Sequence, residues 1–219
     1  MNILRKPFRY SFFNATIAII IVNVAVHFLI GTFHLNRNFF GLSVIGFVYK
    51  HQFWQLVTYM FVHGDISHLF FNMLALLVFG ISLERTLGSR EFLLMYFSIG
   101  IFSGLFSLAA YYAFGKFLMA NGIQPYPFVI SLIGASGAIY GLLFAYAVVF
   151  PRSIMYIWGL VPVPAPIMVI GYAVIEFFSQ FVGSSNVAHL THLAGFAFAW
   201  LYFIVRMGVH PIQVWKNAY

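Results

Sequence analysis

The chain has 219 residues, 63% of them hydrophobic and 21% aromatic, with 11 Lys+Arg against 4 Asp+Glu for a formal charge of +7. Soluble domains carry about 25% charged residues, so the 7% found here excludes an ordinary water-soluble domain and places most of the chain in lipid. The basic residues stand singly between apolar runs, which argues against a nucleic-acid partner, and the lack of cysteine excludes disulfides, thiolate nucleophiles and Cys-ligated metals.

A bilayer core of about 30 Å needs about 20 helical residues, and dividing the chain at charges, prolines and polar turns predicts six spans. Span one runs from Phe12 to Phe33, behind Arg5, Lys6 and Arg9. It is longer than a signal-peptide core and has no small-x-small cleavage site after it, so it is expected to be retained. The stretch from His34 to Ile66 is too polar to span and too apolar for a free linker, and is expected to lie partly in the membrane interface. Span two covers Ser67 to Leu83 and stops at Glu84-Arg85. Span three covers Phe92 to Phe114, between Arg90-Glu91 and Lys116. Pro125 and Pro127 make the next segment a poor helix, and Gly134 gives a break before span four. A helix from Ala135 to Phe150 would be only about 24 Å long. Span five covers Pro166 to Val182, and span six Ala188 to Val205, closing at Arg206.

The fold expected is an all-α integral membrane bundle of six transmembrane helices. Residues 1–11 form a short cytoplasmic N-terminus, 12–206 a single domain and 207–219 a short cytoplasmic tail. Eight basic residues then lie inside (Arg5, Lys6, Arg9, Arg85, Arg90, Arg152, Arg206 and Lys216) and three outside (Arg37, Lys50 and Lys116), which favours an N-in, C-in orientation.

Polar groups inside a bilayer are costly and face the bundle interior or a wet cavity. Here they are His68 and Asn72 in span two, Ser136 in span four, Glu176 in span five, and His189 and His192 in span six. Spans two, four and six all start at the outer face, so His68, Ser136 and His192 share one depth. Ser136 falls at a helix N-terminus, where free N–H groups and the helix dipole favour negative charge. Gly137, Gly141 and Ala145, with Gly195 and Ala199, leave span four and span six each with a smooth face for close approach. If those faces meet, Ser136 and His192 reach each other. An imidazole beside a serine can take the hydroxyl proton and return it to a leaving amine. His68 and Asn72, four residues apart, can donate to the resulting oxyanion, where one lost donor typically costs about 2.7–4 kcal/mol. Tyr140 lies one turn below Ser136 and can stack on the histidine.

Each of these residues alone has a plainer reading, as a packing serine or a hydrogen-bonded histidine. A metal site of His189 and His192 with His63 and His68 is set aside, because His-Glu-x-x-His is absent and no carboxylate is placed with them. Neither metal nor cofactor is expected. Glu176 reads as a buried structural carboxyl rather than a proton relay. Asp65 or Ser67 is expected to cap span two, and Glu84 lies about 24 Å from His68 along the helix. The expectation is a Ser-His dyad without an acid.

The constellation resembles the rhomboid family of intramembrane serine proteases from about Trp54 to Trp200. The likeness rests on Gly134-Ala135-Ser136-Gly137 followed by Ala138-Ile139-Tyr140-Gly141, on His63-Gly64-Asp65-Ile66-Ser67-His68 continuing to Asn72, and on Ala188-His189-Leu190-Thr191-His192-Leu193-Ala194-Gly195. The resemblance implies Ser136 as nucleophile and His192 as general base and acid, His192 being the histidine followed by x-x-Gly. It implies His68, Asn72 and the Ser136 backbone as oxyanion donors, with Tyr140, Gly134, Gly137 and Gly195 supporting. Trp54-Gln55 stands where the family often has Trp-Arg, Ala199 replaces a second glycine, and Glu84-Arg85 before Gly88 resembles a structural inner-face motif.

The activity so implied is cleavage of other proteins' transmembrane segments near the outer face. Substrates would arrive laterally between spans two and five, with Phe71, Phe177 and Phe178 as gate residues. The partners expected are transmembrane protein substrates and the bilayer, and the location a bacterial inner membrane. The competing readings are an inactive rhomboid-like protein that binds membrane helices, and a small proton-coupled transporter using His189, His192 and Glu176.

Overall fold

The computed structural model describes residues 8–157, 160–181 and 188–219. Arg5, Lys6 and the expected end of span five at Val182 lie outside the described residues. Helices occupy all six apolar stretches: α1 (Ala15–Thr32), α2 (Ile66–Leu87), α3 (Ser89–Ala120), α4 (Ser136–Val149), α5 (Ala165–Ser179) and α6 (His189–Met207). By length and composition α1, α2, α3 and α6 can cross a membrane, whereas α4 and α5 are shorter apolar helices. A wider turn at Leu76–Gly80 interrupts α2, and another at Phe203–Met207 closes α6.

Three features differ from the sequence expectation. Helix α3 runs on through Lys116 to Ala120, because a lysine marks an aqueous boundary but does not break a helix. Strands β1 (Ile154–Ile157) and β2 (Val161–Pro164) pair antiparallel, with Ile154 opposite Pro164, adding a short hairpin to an otherwise helical chain. The expected tail contains α7 (Pro211–Ala218), which docks on the end of α4. Its Trp215 Nε1 donates to the Ala147 carbonyl at 2.9 Å, and its ring lies against Phe144.

Between α1 and α2 the chain makes short helical turns at Arg37–Phe40, Ile45–Tyr49, Gln55–Thr58 and Tyr59–Phe61. Buried Leu42, Val44, Tyr59 and Met60 anchor them, while Phe39, Tyr49, Phe53 and Trp54 stay exposed. That division suits a segment lying along a membrane interface. Leu42 exchanges two backbone hydrogen bonds with Leu132, at 2.9 and 2.8 Å, which ties this segment to the approach to α4. Gln55 is fully buried. It accepts from the Ser43 N–H at 3.2 Å and donates to the Asn38 carbonyl at 3.1 Å, so a neutral amide holds this loop.

Two carboxylates fasten the opposite end of the bundle. Helix α1 has no side-chain cap of its own. Glu84 of α2 supplies one, accepting from the Ala15 N–H at 2.6 Å, the Thr16 N–H at 2.8 Å and the Ser89 hydroxyl. A carboxylate at a helix N-terminus satisfies orphan donors and favours the dipole, which is the structural role expected for Glu84-Arg85. Glu91 of α3 binds Arg206 of α6 through two bonds of 2.8 Å, and Tyr202 donates to the same carboxylate.

Helix α4 is the most enclosed element, packed between α3 and α6 with α5 beside it. Its crossing with α6 depends on missing side chains. A methyl group on Gly195 would fall against the Gly137 carbonyl, closer than real atoms approach, with the Gly141 nitrogen at 3.3 Å. One on Gly141 would meet Ile99 at 2.5 Å. The smooth faces expected on spans four and six therefore meet, backbone to backbone. Ala199, further along, is fully buried with its methyl accommodated.

Candidate active site

The crossing of α4 and α6 sets Ser136, the first residue of α4, against His192, one turn into α6. Ser136 Oγ and His192 Nε2 are 2.8 Å apart, the distance of a direct hydrogen bond. The Tyr140 ring stacks on the imidazole with centroids 4.1 Å apart and planes within 7°. Phe196 meets the edge of Tyr140, so the imidazole has little freedom to turn. His192 is 6% exposed.

Gly134 precedes the serine with φ of +112°, a conformation that suits glycine. A methyl group there would lie 2.7 Å from His68 Nε2 and 3.8 Å from Ser136 Oγ. The His68 ring therefore lies directly over the backbone that presents the serine. His68 is set by Asp65, whose carboxylate caps α2 by accepting from the His68 N–H at 2.8 Å. The Ser67 hydroxyl also donates to Asp65, and this bond, followed by that from the His68 backbone, holds the carboxyl below the usual range. Asp65 thus has the capping role expected of it. Asn72 is buried, and its amide nitrogen donates to the His68 carbonyl at 2.8 Å, which leaves its second N–H for another acceptor. His63 lies edge-on to His68 at 5.0 Å and is likewise buried.

The expectation that no acid stands near the serine and histidine does not hold. Glu176 of α5 is 5% exposed, with Oε1 3.1 Å from His192 Nδ1 and Oε2 2.6 Å from His189 Nδ1. Tyr140 donates its hydroxyl to Oε1. From sequence Glu176 reads as a buried, hydrogen-bonded carboxyl that is not joined to His192. The signal was available in the cost of burying a carboxylate, which demands donors, and in two histidines three residues apart at the start of the next span. The same cluster removes the objection that no carboxylate accompanies His189 and His192. The ligand-type atoms of Glu176, His189 and His192 lie within 4.8 Å of one another. With Tyr140 and His189 already bonded to the carboxylate and His192 against it, the set is organised as a hydrogen-bonding network.

Chemically, the arrangement offers a hydroxyl bonded to a general base, at the N-terminus of a buried helix whose first N–H groups have no intrahelical partners. The His68 ring lies beside the Gly134 backbone just before the serine. Phe71, Phe177 and Phe178 are exposed on α2 and α5.

Comparison with known proteins gives the family of the chain. The Rhomboid domain family matches residues 50–208, nearly three quarters of the chain. The chain is 27% identical over 191 residues to RHOMBOID-like protein 12, mitochondrial, of Arabidopsis thaliana, covering 85% of this chain and 56% of that protein. It is 31% identical over 135 residues to Rhomboid protease AarA of Providencia stuartii, covering 58% and 47%. It is 30% identical over 146 residues to Putative rhomboid protease YdcA of Bacillus subtilis, covering 66% and 62%. The chain thus spans about half to three fifths of the length of these relatives. The matched region contains Ser136, His192, His68, Asn72 and Glu176 together, and with its apolar helices the chain is a multi-pass membrane protein belonging to the rhomboid family.

Proposed function

We propose that this chain is an intramembrane serine endopeptidase that cuts transmembrane segments of other proteins near the outer face. The observation that carries the reading is the 2.8 Å bond between Ser136 Oγ and His192 Nε2 at the start of a buried helix. Relatives named as rhomboid proteases support the reaction class.

In the proposed reaction Ser136 Oγ attacks the carbonyl carbon of the scissile peptide as its proton passes to His192 Nε2. The carbonyl oxygen becomes an oxyanion facing the Ser136 backbone N–H, the His68 ring and the Asn72 amide. Collapse breaks the carbon–nitrogen bond, and His192 returns the proton to the departing amine. Water, activated by the same imidazole, then hydrolyses the acyl-serine ester and restores the hydroxyl. No metal or cofactor takes part. A substrate helix keeps its amides bonded internally, so it has to unwind near the cut before Oγ can reach a carbonyl.

In the same proposal, α1 to α6 all cross the bilayer as residues 12–206, with both ends inside and residues 207–219 on the cytoplasmic side. The short α4 then starts below the outer surface and places Ser136 at a depth that water can reach. Substrates arrive from the lipid between α2 and α5, past Phe71, Phe177 and Phe178, all of which face outward. The assignment to a bacterial plasma membrane rests on the bacterial relatives and stands beside a plant mitochondrial one.

The test is labelling by an active-site fluorophosphonate, with cleavage of a transmembrane reporter in proteoliposomes. Wild type is expected to label and to cut, and Ser136→Ala to do neither. Labelling and cutting that survive Ser136→Ala would refute the reading. Binding of a membrane helix without any cutting by wild type would favour the non-catalytic alternative.

A further inference from the structure

We infer that Glu176 is a positioning residue for the proposed peptidase reaction, a carboxylate that holds His192 in its base-competent tautomer and stabilises its protonated form, so that the serine and histidine work as part of a Ser136–His192–Glu176 triad. The inference rests on the peptidase reading and adds a third group to it.

The two ring nitrogens of His192 face different partners. Nε2 faces Ser136 Oγ at 2.8 Å, and to accept the hydroxyl proton it must carry none of its own. The ring hydrogen must then sit on Nδ1. What Nδ1 faces is Glu176 Oε1, at 3.1 Å. A carboxylate only accepts, so this neighbour selects the tautomer that the reaction needs. When the proton arrives from Ser136, the ring becomes a cation beside an anion in a site largely closed to water, where such a pair is worth far more than at a surface. The contact has ion-pair distance, but its N–H direction is off the best hydrogen-bond line. Catalytic hydrogen bonds in unliganded enzymes are commonly loose in this way and tighten with substrate.

The rest of the network fits a carboxylate fixed for this purpose. Tyr140 donates to Oε1 and stacks on the His192 ring, so one residue sets the position of both partners. His189 is bound to Oε2 at 2.6 Å, one turn before His192 on the same helix. The carboxylate is thereby held from two sides, which restricts its rotation. The titratable groups facing His192 are Glu176 from α5, Tyr140 from α4, His68 from α2 and His189 from α6 itself. Glu176 is the one acid among them, so it is the one group there that can offset a positive charge on the imidazole. A carboxylate that only filled space would need neither this alignment nor its charge.

The experiment compares Glu176→Gln and Glu176→Asp with wild type and Ser136→Ala, measuring kcat, KM and the pH profile of reporter cleavage in proteoliposomes. Glu176→Gln keeps the volume but removes the charge, and its amide can present a donor to Nδ1. It is expected to lower kcat on the order of 10²-fold, with KM changed less than about twofold. The acid limb of its profile should move to lower pH, because the site loses a negative charge. Glu176→Asp keeps the charge, so its acid limb should stay near that of wild type, with kcat between the two. If Glu176→Gln fails to fold in detergent, the Glu176→Asp profile and that of His189→Gln decide. His189→Gln removes the clamp on Oε2 and should lower kcat with the acid limb retained. A Glu176→Gln enzyme with kcat and acid limb like wild type, or a Glu176→Asp limb displaced as far as that of Glu176→Gln, overturns the assignment. In either case cleavage that still depends on Ser136 leaves the peptidase reading standing, whereas cleavage indifferent to Ser136→Ala refutes that reading itself.

Discussion

Gly195→Ala tests whether the meeting of α4 and α6 sets the chemistry. The added methyl would press on the Gly137 carbonyl, with the Gly137 carbonyl carbon at 3.2 Å and the Gly141 nitrogen at 3.3 Å. All three are backbone atoms, so no side chain can swing aside. Restoring an ordinary contact of 3.4–4 Å requires the two helices to part by on the order of 1 Å. Ser136 is next to Gly137, and His192 lies three residues before Gly195, so most of that parting falls on the bond between them. From 2.8 Å it would open to about 3.8 Å, beyond hydrogen-bond range. A misplacement of about 1 Å costs on the order of 10²-fold in rate, or about 2.7 kcal/mol of transition-state stabilisation. Overpacking adds a stability loss of about 1–3 kcal/mol. The assay is kcat/KM on a transmembrane reporter in proteoliposomes, with the fluorophosphonate labelling rate and thermal unfolding in detergent read on the same preparations. Gly31→Ala serves as control, since a methyl group there meets nothing within 4 Å, and should stay within about twofold of wild type. Labelling of Gly195→Ala at the wild-type rate would refute the claim that this crossing holds the serine and histidine together.

Two further perturbations probe the supports. Asp65→Asn keeps a capping side chain and should leave substantial cleavage, since the acid beside His192 is Glu176. The Asp65 carboxyl is held below its usual range by Ser67 and the His68 backbone, so its contribution to stability is complete above the unfolded value of about 3.9 and is lost as pH falls through the lower folded value. The difference in Tm between wild type and Asp65→Asn should therefore be constant above about pH 5 and shrink below about pH 4; a difference that grows on acidification would contradict the sign. Glu84→Ala leaves the buried Ala15 and Thr16 N–H groups without their acceptor, a loss of about 1–3 kcal/mol. Its thermal unfolding should fall by several degrees while the labelling rate at low temperature stays near that of wild type, and an unchanged Tm would count against the cap.

Much of the site was legible before folding because its signals are local or periodic. Hydropathy is a property of a window of residues, so all six helices lie where apolar runs predict them, with the bounds among the described residues shifted by a few positions. The stripes Gly137–Gly141 and Gly195–Ala199 repeat at helical spacing, and that spacing alone singled out the faces that meet. Ser136 after Gly134, and His192 with x-x-Gly behind it, stood out through the resemblance of these short motifs to rhomboid ones.

What the sequence determined by itself was the lipid setting and the helices, since each follows from composition or spacing along one segment; Ser136 and His192 stood out through the likeness of their motifs to those of the rhomboid family. The tertiary structure decided which distant groups became neighbours. Glu176 and His192 stand sixteen positions apart on different helices, and no periodicity carries over from α5 to α6 to relate their faces. Only the packing of α5 beside α4 and α6 brings that carboxylate to Nδ1. The same holds for Trp215 on Ala147 and for Glu84 under α1, contacts whose residues share no helix and whose approach is set by side-chain shape. A buried carboxylate has to find donors wherever the fold supplies them, and here the fold supplied Tyr140, His189 and His192.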